Sequence, residues 1–193
     1  HQSGETLFSS TRFGNVMGSS GSVIPIFKEQ IKNGGPVTLT HTDMTRFVMS
    51  VEQAVQLLIE SSKIARGGEV FITKMPVLRI VDLAEVMIRE IAPFFGHSPN
   101  SIEIVNIGAK PGEKLYEELM SEEETRRAVE LPSYFSVLPA FKELYSFIDY
   151  DYENLVSNEV KNPYVSREQN IISKEKIFQL LNEFGFLLKI ENK

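Results

Sequence analysis

Two cations, one carboxylate and a run of small residues are the groups in this chain with recognisable chemistry to offer. Arg46 lies in Met44-Thr45-Arg46-Phe47, a polar loop read as ending just before a helix start. There a guanidinium can grip a phosphate through two parallel hydrogen bonds. Lys110 stands two residues ahead of Gly112 in a turn whose backbone amides add donors, and the Glu113 carboxylate beside two cationic loops suits a sugar hydroxyl. The fourth feature is T-R-F-G-N-V-M-G-S-S-G-S-V-I-P-I-F, from Thr11 to Phe27. Gly14, Gly18 and Gly21 break a strand, Ser19, Ser20 and Ser22 make the break polar, and Val23, Ile24, Ile26, Phe27 and Ile31 then recur at helical spacing. Ser22 stands at the N-cap with Pro25 in the first turn, where a missing N–H costs nothing. Such a loop leaves several N–H groups unpaired at the positive end of a helix dipole, an arrangement suited to a phosphate or a polar heterocycle. Taken singly, each feature has an ordinary explanation as a surface cation, a first-turn carboxylate or a strand–loop–helix connection. Only their convergence on one place would make a site.

Other chemistries find no residues to run on. His1, His41 and His97 fit no metal-ligand spacing, no serine sits in a G-x-S-x-G elbow, and none of the six tyrosines has a lysine four residues on. There is no G-x-G-x-x-G and no G-x-x-x-x-G-K-[ST], so no dinucleotide or Walker loop is recognisable. Ser121-Glu122-Glu123-Glu124 crowds carboxylates at a helix entry, where they read as capping groups rather than as metal ligands. Cysteine is absent, which excludes disulfides and thiolate metal sites and fits a reducing compartment.

Composition sets the frame for these groups. The chain has 193 residues, 42% hydrophobic and 24% charged, enough for a sizeable core in a soluble globular domain. A net charge of −6 argues against an electrostatic grip on nucleic acid or anionic lipid. Apolar runs are only a few residues long, so no segment spans a bilayer and no signal-peptide core is present; the expected location is cytoplasmic. The chain opens at His1 without a Met and reads as a piece of a longer protein, whose upstream region could carry an anchor.

The elements that must position the polar groups alternate in type. A strand is predicted over Leu7 to Phe13, then a helix from Val23 to the Asn33-Gly34-Gly35-Pro36 stop, a strand over Val37 to Thr40 and polar loop from His41 to Arg46. Ser50 and Gln53 form a capping box for a helix with Val51, Ala54, Val55, Leu58 and Ile59 on one face, stopped by Gly67-Gly68. Glu69 to Lys74 is a compact strand. Leu83, Val86, Met87 and Ile91 mark a helix closed by Pro93 and Gly96, and Ile102 to Ile107 is strand-like. A helix carrying Leu115, Tyr116, Leu119 and Met120 is predicted after Gly112, then a second capping box at Ser121 and a strand over Tyr134 to Leu138. Lys142 to Gln169 reads as an irregular surface segment, and a last helix runs from Ser173 to Phe184. The pattern predicts an α/β arrangement with some parallel strands and a helical appendage.

The runs R-F-G-N-V-M-G-S-S-G-S-V-I-P-I-F, M-T-R-F-V-M-S and G-A-K-P-G-E-K-L-Y-E-E-L occur in that order. With G-G-E-V-F-I-T-K-M-P and L-R-I-V-D-L-A-E between the second and third, they closely resemble the nucleotide-sugar-modifying extended short-chain dehydrogenase/reductases. Within these they look most like the UDP-N-acetylglucosamine 4,6-dehydratases and capsular-polysaccharide (CapD-like) relatives. The resemblance covers residues 7 to about 140. It implies the C-terminal, substrate-binding part of a Rossmann-like enzyme over residues 1–140, with strands that complete the Rossmann sheet, and an irregular segment and terminal helix over 141–193. It also implies that NAD or NADP is bound by an N-terminal domain outside this chain, so no cofactor and no catalytic residue are assigned here.

Carried over residue by residue, Asn15 looks like the family's substrate-contacting Asn. Val23, Ile24, Pro25, Ile26 and Phe27 match the segment lining the uridine pocket, and Arg46 resembles the Arg that neutralises the diphosphate. Lys110 stands where many relatives have a second Arg, and Glu113 matches a carboxylate on the nucleotide. Lys in place of Arg keeps the charge and loses the planar two-point grip.

The implied reaction is oxidation at sugar carbon 4, loss of water across carbons 5 and 6 and return of the hydride to carbon 6. This half would bind and orient a UDP-sugar and be inactive alone. A 4-epimerase of the same family, or a non-catalytic nucleotide-sugar-binding protein, is the alternative. Sheet edges exposed in this piece predict a homo-oligomer, and no nucleic-acid partner is expected.

Overall fold

The structure, a computed structural model, describes residues 6–19, 21–141 and 147–187. His1, Ser20 and Tyr145, considered above, lie outside the described residues.

The strand predicted over Leu7 to Phe13 forms over its second half only, and a further strand in a second sheet follows it. β1 (Ser10–Arg12) ends before Phe13-Gly14, and β2 (Asn15–Val16) follows. The crossing is possible because position 14 carries no side chain: a Cβ there would lie 2.5 Å from the Phe47 Cβ and 2.6 Å from the Phe47 carbonyl oxygen. α1 (Val23–Lys32) buries Ile24, Phe27 and Ile31 at helical spacing and ends at Asn33 with Gly34 left-handed, as the Asn-Gly-Gly-Pro stop predicts. Each of these buried side chains is worth roughly 1.5–3 kcal/mol of transfer free energy.

After β3 (Val37–Leu39) the structure corrects the sequence reading. Thr45–Met49 is a strand, β4, so Arg46 lies within a strand rather than in a loop ahead of a helix. Thr45, Phe47, Val48 and Met49 are all buried, so the strand shows no polar alternation to read. α2 (Val51–Ile64) opens with the expected capping box, Gln53 N–H to Ser50 Oγ at 3.1 Å and Ser50 N–H to Gln53 Oε1 at 2.9 Å. Its buried face is not the predicted one. Ala54, Leu57 and Ser61 face inward, while Val51, Val55, Leu58 and Ile59 are about half exposed.

β5 (Val70–Thr73) and β6 (Val77–Arg79) precede α3 (Ile80–Ile91), which continues as a 3₁₀ turn to a left-handed Gly96. β7 (Ile104–Asn106) follows. The predicted helix over Leu115 to Met120 is absent; the chain bends at Leu115 and Tyr116 and then enters β8 (Glu118–Met120). α4 (Glu122–Thr125) carries the second capping box, and β9 (Ala128–Glu130) and β10 (Tyr134–Val137) form a hairpin. The segment expected to be surface is anchored in the core: Tyr152 and Tyr164 are buried and β11 (Tyr164–Val165) pairs with β8. α5 (Lys174–Glu183) closes the described chain, with Ser173 as its cap.

The first sheet has the order β1-β5-β10-β9, with β1 parallel to β5, the other pairs antiparallel and β1 at one edge. Its central strand is buried on both faces, Phe71 in one cluster and Ile72 in another, as its continuous apolar run requires. The second has the order β2-β4-β6, β2 parallel and β6 antiparallel to β4. β3 and β7 pair in parallel. The largest core cluster lies among α1, α3, α5 and β3.

Candidate ligand-binding site

Alternation along β4 separates two jobs. Phe47 and Met49 point into the core shared with β5, while Arg46 and Val48 point the other way, toward α1. β2 lies beside β4 with Asn15 opposite Val48, which puts Asn15 two residues along the ladder from Arg46. On the other side, β3 places Thr38 and Thr40 under α1, and the loop after β7 brings Lys110 and Glu113 over the top. These elements enclose a cavity of about 380 Å³ with an apolar floor and a polar wall.

Of the residues singled out from sequence, Asn15, Val23, Ile24, Ile26, Phe27, Arg46, Lys110 and Glu113 all line this cavity, and Pro25 does not. Pro25 acts through the backbone. It is the third helical residue, where an N-cap serine usually finds its N–H partner. Pro removes that partner, the Ser22 side chain makes no capping bond, and its buried Oγ has no partner. The N–H groups of Val23 and Ile24 are thereby also left uncapped by that side chain at the cavity wall.

The Arg46 guanidinium is held before any ligand arrives. Nη1 donates to the Thr45 carbonyl at 2.8 Å, Nη2 to the Lys114 carbonyl at 2.6 Å, and Nε lies 3.8 Å from Glu117 Oε1. One hydrogen on each terminal nitrogen is left for a ligand. Burial pulls the Arg46 pKa down from its ordinary value, with Glu117 and then Glu113 opposing; the group stays cationic. Burial likewise pushes Glu117 up, with Arg46, the Phe47 N–H and Lys114 opposing. Glu113 is fixed by Thr40 Oγ1 at 2.9 Å and by the Lys110 N–H at 3.2 Å, so the Lys110 turn and β3 are tied through it.

Sequence reasoning missed Glu117, which sat in a stretch read as helix. Its signal was the second carboxylate of G-E-K-L-Y-E-E-L, visible as functional only once the stretch is laid against β4. Among the described residues no group of three or more His, Asp or Glu is placed to hold a metal ion. Gly14 and Gly18 open no cradle for a pyrophosphate, whereas Gly21, at the cavity wall, faces open space. The space beside Gly14 is filled by Phe47 and that beside Gly18 by the Phe186 ring, so their missing side chains admit protein rather than a pyrophosphate.

The mixed parallel and antiparallel α/β body is that of an extended short-chain dehydrogenase/reductase, and its polar-walled cavity lies at a helix N-terminus. The chain belongs to the polysaccharide biosynthesis protein family, whose sequence model matches residues 1–139. It is similar to an uncharacterized membrane protein of Methanocaldococcus jannaschii, 49% identical over 183 residues, 95% of this chain and 51% of that one. The capsular polysaccharide biosynthesis protein CapD of Staphylococcus aureus is 50% identical over 122 residues, 62% of this chain and 20% of CapD. The UDP-glucose 4-epimerase of Rickettsia akari is 35% identical over 184 residues, 95% of this chain and 52% of the epimerase. The crystal structure of Pen from Bacillus thuringiensis superposes with a TM-score of 0.84 at 45% identity, covering 97% of this chain and 53% of Pen. The chain thus spans about half the length of the archaeal and rickettsial relatives and of Pen. No helix among the described residues is long and apolar enough to cross a membrane.

Proposed function

We propose that this chain is the nucleotide-sugar-binding half of an NAD(P)-dependent UDP-N-acetylglucosamine 4,6-dehydratase that acts in cytoplasmic steps of polysaccharide biosynthesis. The observation that carries the reading is the convergence of Arg46, Lys110, Glu113, Asn15 and the uncapped start of α1 on one cavity. Two cations and a helix N-terminus supply what a diphosphate needs. The apolar side chains of α1 offer a surface for the base, Glu113 an acceptor for ribose hydroxyls and Asn15 a polar contact toward the sugar.

What this half contributes is binding energy and orientation, with Arg46 pre-set by its backbone contacts so that little side-chain freedom is lost on binding. A nicotinamide cofactor, when bound by the rest of the enzyme, would supply the hydride chemistry. No step through that group is assigned to this chain. The chain alone is expected to be inactive and to self-associate.

A 4-epimerase of the same family is the second reading, favoured by the similarity to the rickettsial UDP-glucose 4-epimerase over 95% of this chain. Calorimetric titration of UDP into wild type and Arg46→Ala tests the site shared by both readings. Arg46→Ala is expected to bind about tenfold more weakly, a loss of ~1.4 kcal/mol. Equal affinities would remove Arg46 from the site, and no binding of UDP by wild type would remove the reading itself.

A further inference from the structure

Glu117 organises the polar wall of the cavity without lining it. Its carboxylate is approached from three directions: by the Asn15 side-chain amide, by the Phe47 N–H at 3.4 Å from Oε2, and by Arg46 Nε at 3.8 Å from Oε1. Its own N–H donates to Ser166 Oγ at 2.9 Å. Ser166, fully buried, lies 2.8 Å from Thr45 Oγ1 and 3.3 Å from the Thr45 carbonyl oxygen. A hydroxyl there accepts from the Glu117 N–H and the Thr45 hydroxyl and donates to the Thr45 carbonyl, which satisfies its one hydrogen and two lone pairs. The strand bearing Arg46 and the segment bearing Glu117 are therefore pinned together, and the carboxylate has a fixed place.

That fixed place decides how Asn15 is presented. A side-chain amide has a donor end and an acceptor end, and the hydrogen-bond pattern assigns Asn15 the orientation that turns its nitrogen to Glu117, at 2.7 Å from Oε1 and 3.0 Å from Oε2, because the opposite orientation would set an oxygen against the carboxylate. Oδ1, which only accepts, is then turned away from the carboxylate on a residue that lines the cavity.

We propose that Glu117 is a positioning residue that fixes Asn15 as a hydrogen-bond acceptor, so that this point of the cavity selects a ligand hydroxyl or N–H over an ether or carbonyl oxygen. The inference rests on the nucleotide-sugar reading above, in which sugar hydroxyls are the donors on offer. Asn15 is exposed in the ligand-free chain, so the discrimination arises where a bound ligand covers it: an analogue without the donor then leaves Oδ1 unpaired and cut off from water. Ionised Glu117 can only accept; a glutamine in its place can present either end of its amide, which frees Asn15 to turn over.

The test is a double-mutant cycle on the full chain, with affinities for UDP-N-acetylglucosamine and for UDP measured for wild type, Asn15→Ala, Glu117→Gln and the double variant. Each single change is expected to lower the preference for the sugar-bearing ligand roughly five- to tenfold, and the double variant no further than Asn15→Ala alone. Losses that simply add would show that Glu117 does not act through Asn15 and would overturn the proposal. No binding of either ligand by wild type would sink the functional reading and this inference with it, so the two failures are distinct.

A ligand-free readout guards against a variant that folds poorly. The side-chain NH₂ signals of Asn15, identified by their loss in Asn15→Ala, are expected at resolved, exchange-protected positions in wild type and at exposed-amide positions in Glu117→Gln. Exposed-amide signals already in wild type would overturn the proposal.

Discussion

The Arg12 guanidinium and the Glu124 carboxylate meet through two parallel hydrogen bonds of 3.1 Å, across 112 residues of chain. Arg12 Nη1 also donates to the Leu119 carbonyl at 2.6 Å, and Glu124 also accepts from the Ser121 N–H at 2.9 Å. The edge strand β1 is thereby tied to the capping box that starts α4, and both ends of the link are anchored to backbone.

Glu124→Gln is expected to destabilise the chain by about 1 kcal/mol at neutral pH, discounted from the buried charged-bond range because Arg12 is partly exposed. Burial is the largest single influence on the Glu124 carboxyl and pushes it up. The bonds from Arg12 and Ser121 outweigh that together and hold it below the ordinary glutamate value. A depressed carboxylate contributes stability that is present above the unfolded pKa and lost as pH falls through the folded one. Urea melts of wild type and Glu124→Gln should therefore differ at neutral pH and converge on acidification. A difference that grows as pH falls would contradict the assignment.

Gly14→Ala probes the crossing between the first two sheets. Its Cβ would meet the Phe47 Cβ and carbonyl within 2.6 Å, and neither is a flexible tip. Phe47 is wholly buried and packs on the Tyr164 ring at a centroid distance of 4.4 Å, so it has little room to retreat. A cost of about 2 kcal/mol is expected, within the range for overpacking, and shows as a lowered Tm with a normal denaturant slope. An unchanged Tm would mean that the two strands separate more easily than their packing suggests.

The same contact shows what was legible in the sequence. Local devices were readable because their partners are close in the chain: Ser50 with Gln53, Ser121 with Glu124, and the Asn33-Gly34 stop all form as spelled. Strands β4, β6 and β8 were not, because three to five residues buried on both faces leave no alternation to detect. α2 misled for a related reason. Its apolar residues outnumber those it buries, so periodicity alone could not tell the buried face from the exposed one. In the cavity, Arg46 and Lys110 stood out by charge in stretches read as loops, whereas Glu117 and Ser166 matter only through partners tens of residues away.

Lys110→Arg tests whether the cation over the cavity meets the diphosphate. Lys110 is exposed and lines the cavity, and its backbone is tethered by Glu113. An arginine there restores the planar two-point donor that a lysine lacks, so UDP affinity is expected to rise about two- to fivefold, and Lys110→Ala to lower it by a similar factor. UDP affinity that ignores both changes would place Lys110 outside the site.

Tyr152 offers a spectroscopic handle on the appended segment. Burial, the largest influence, pushes its hydroxyl up to about 12, while its bond with Ser136 opposes this. The folded value lies above the unfolded one, so the stability carried by the neutral phenol is lost as pH rises from about 10 to about 12. Ultraviolet titration should show one tyrosine ionising near 12, and Tyr152→Phe should abolish that step. The step surviving in Tyr152→Phe would reassign it, with Tyr164, also raised by burial, the next to test.

The exposed stripe on α2 bears on how the chain behaves in solution. Val51, Val55, Leu58 and Ile59 recur at helical spacing and are 46–53% exposed, and among the described residues β1 is an edge strand. Apolar stripes and open edges left in water favour association with a second copy. Sedimentation at micromolar concentration is expected to show a dimer or larger species, and Val55→Glu combined with Leu58→Glu should shift it toward monomer with little change in Tm, because neither side chain supports the core. Wild type sedimenting as a monomer, with the amides of both β1 and β5 protected from exchange, would show that neither the stripe nor the edge strand drives association.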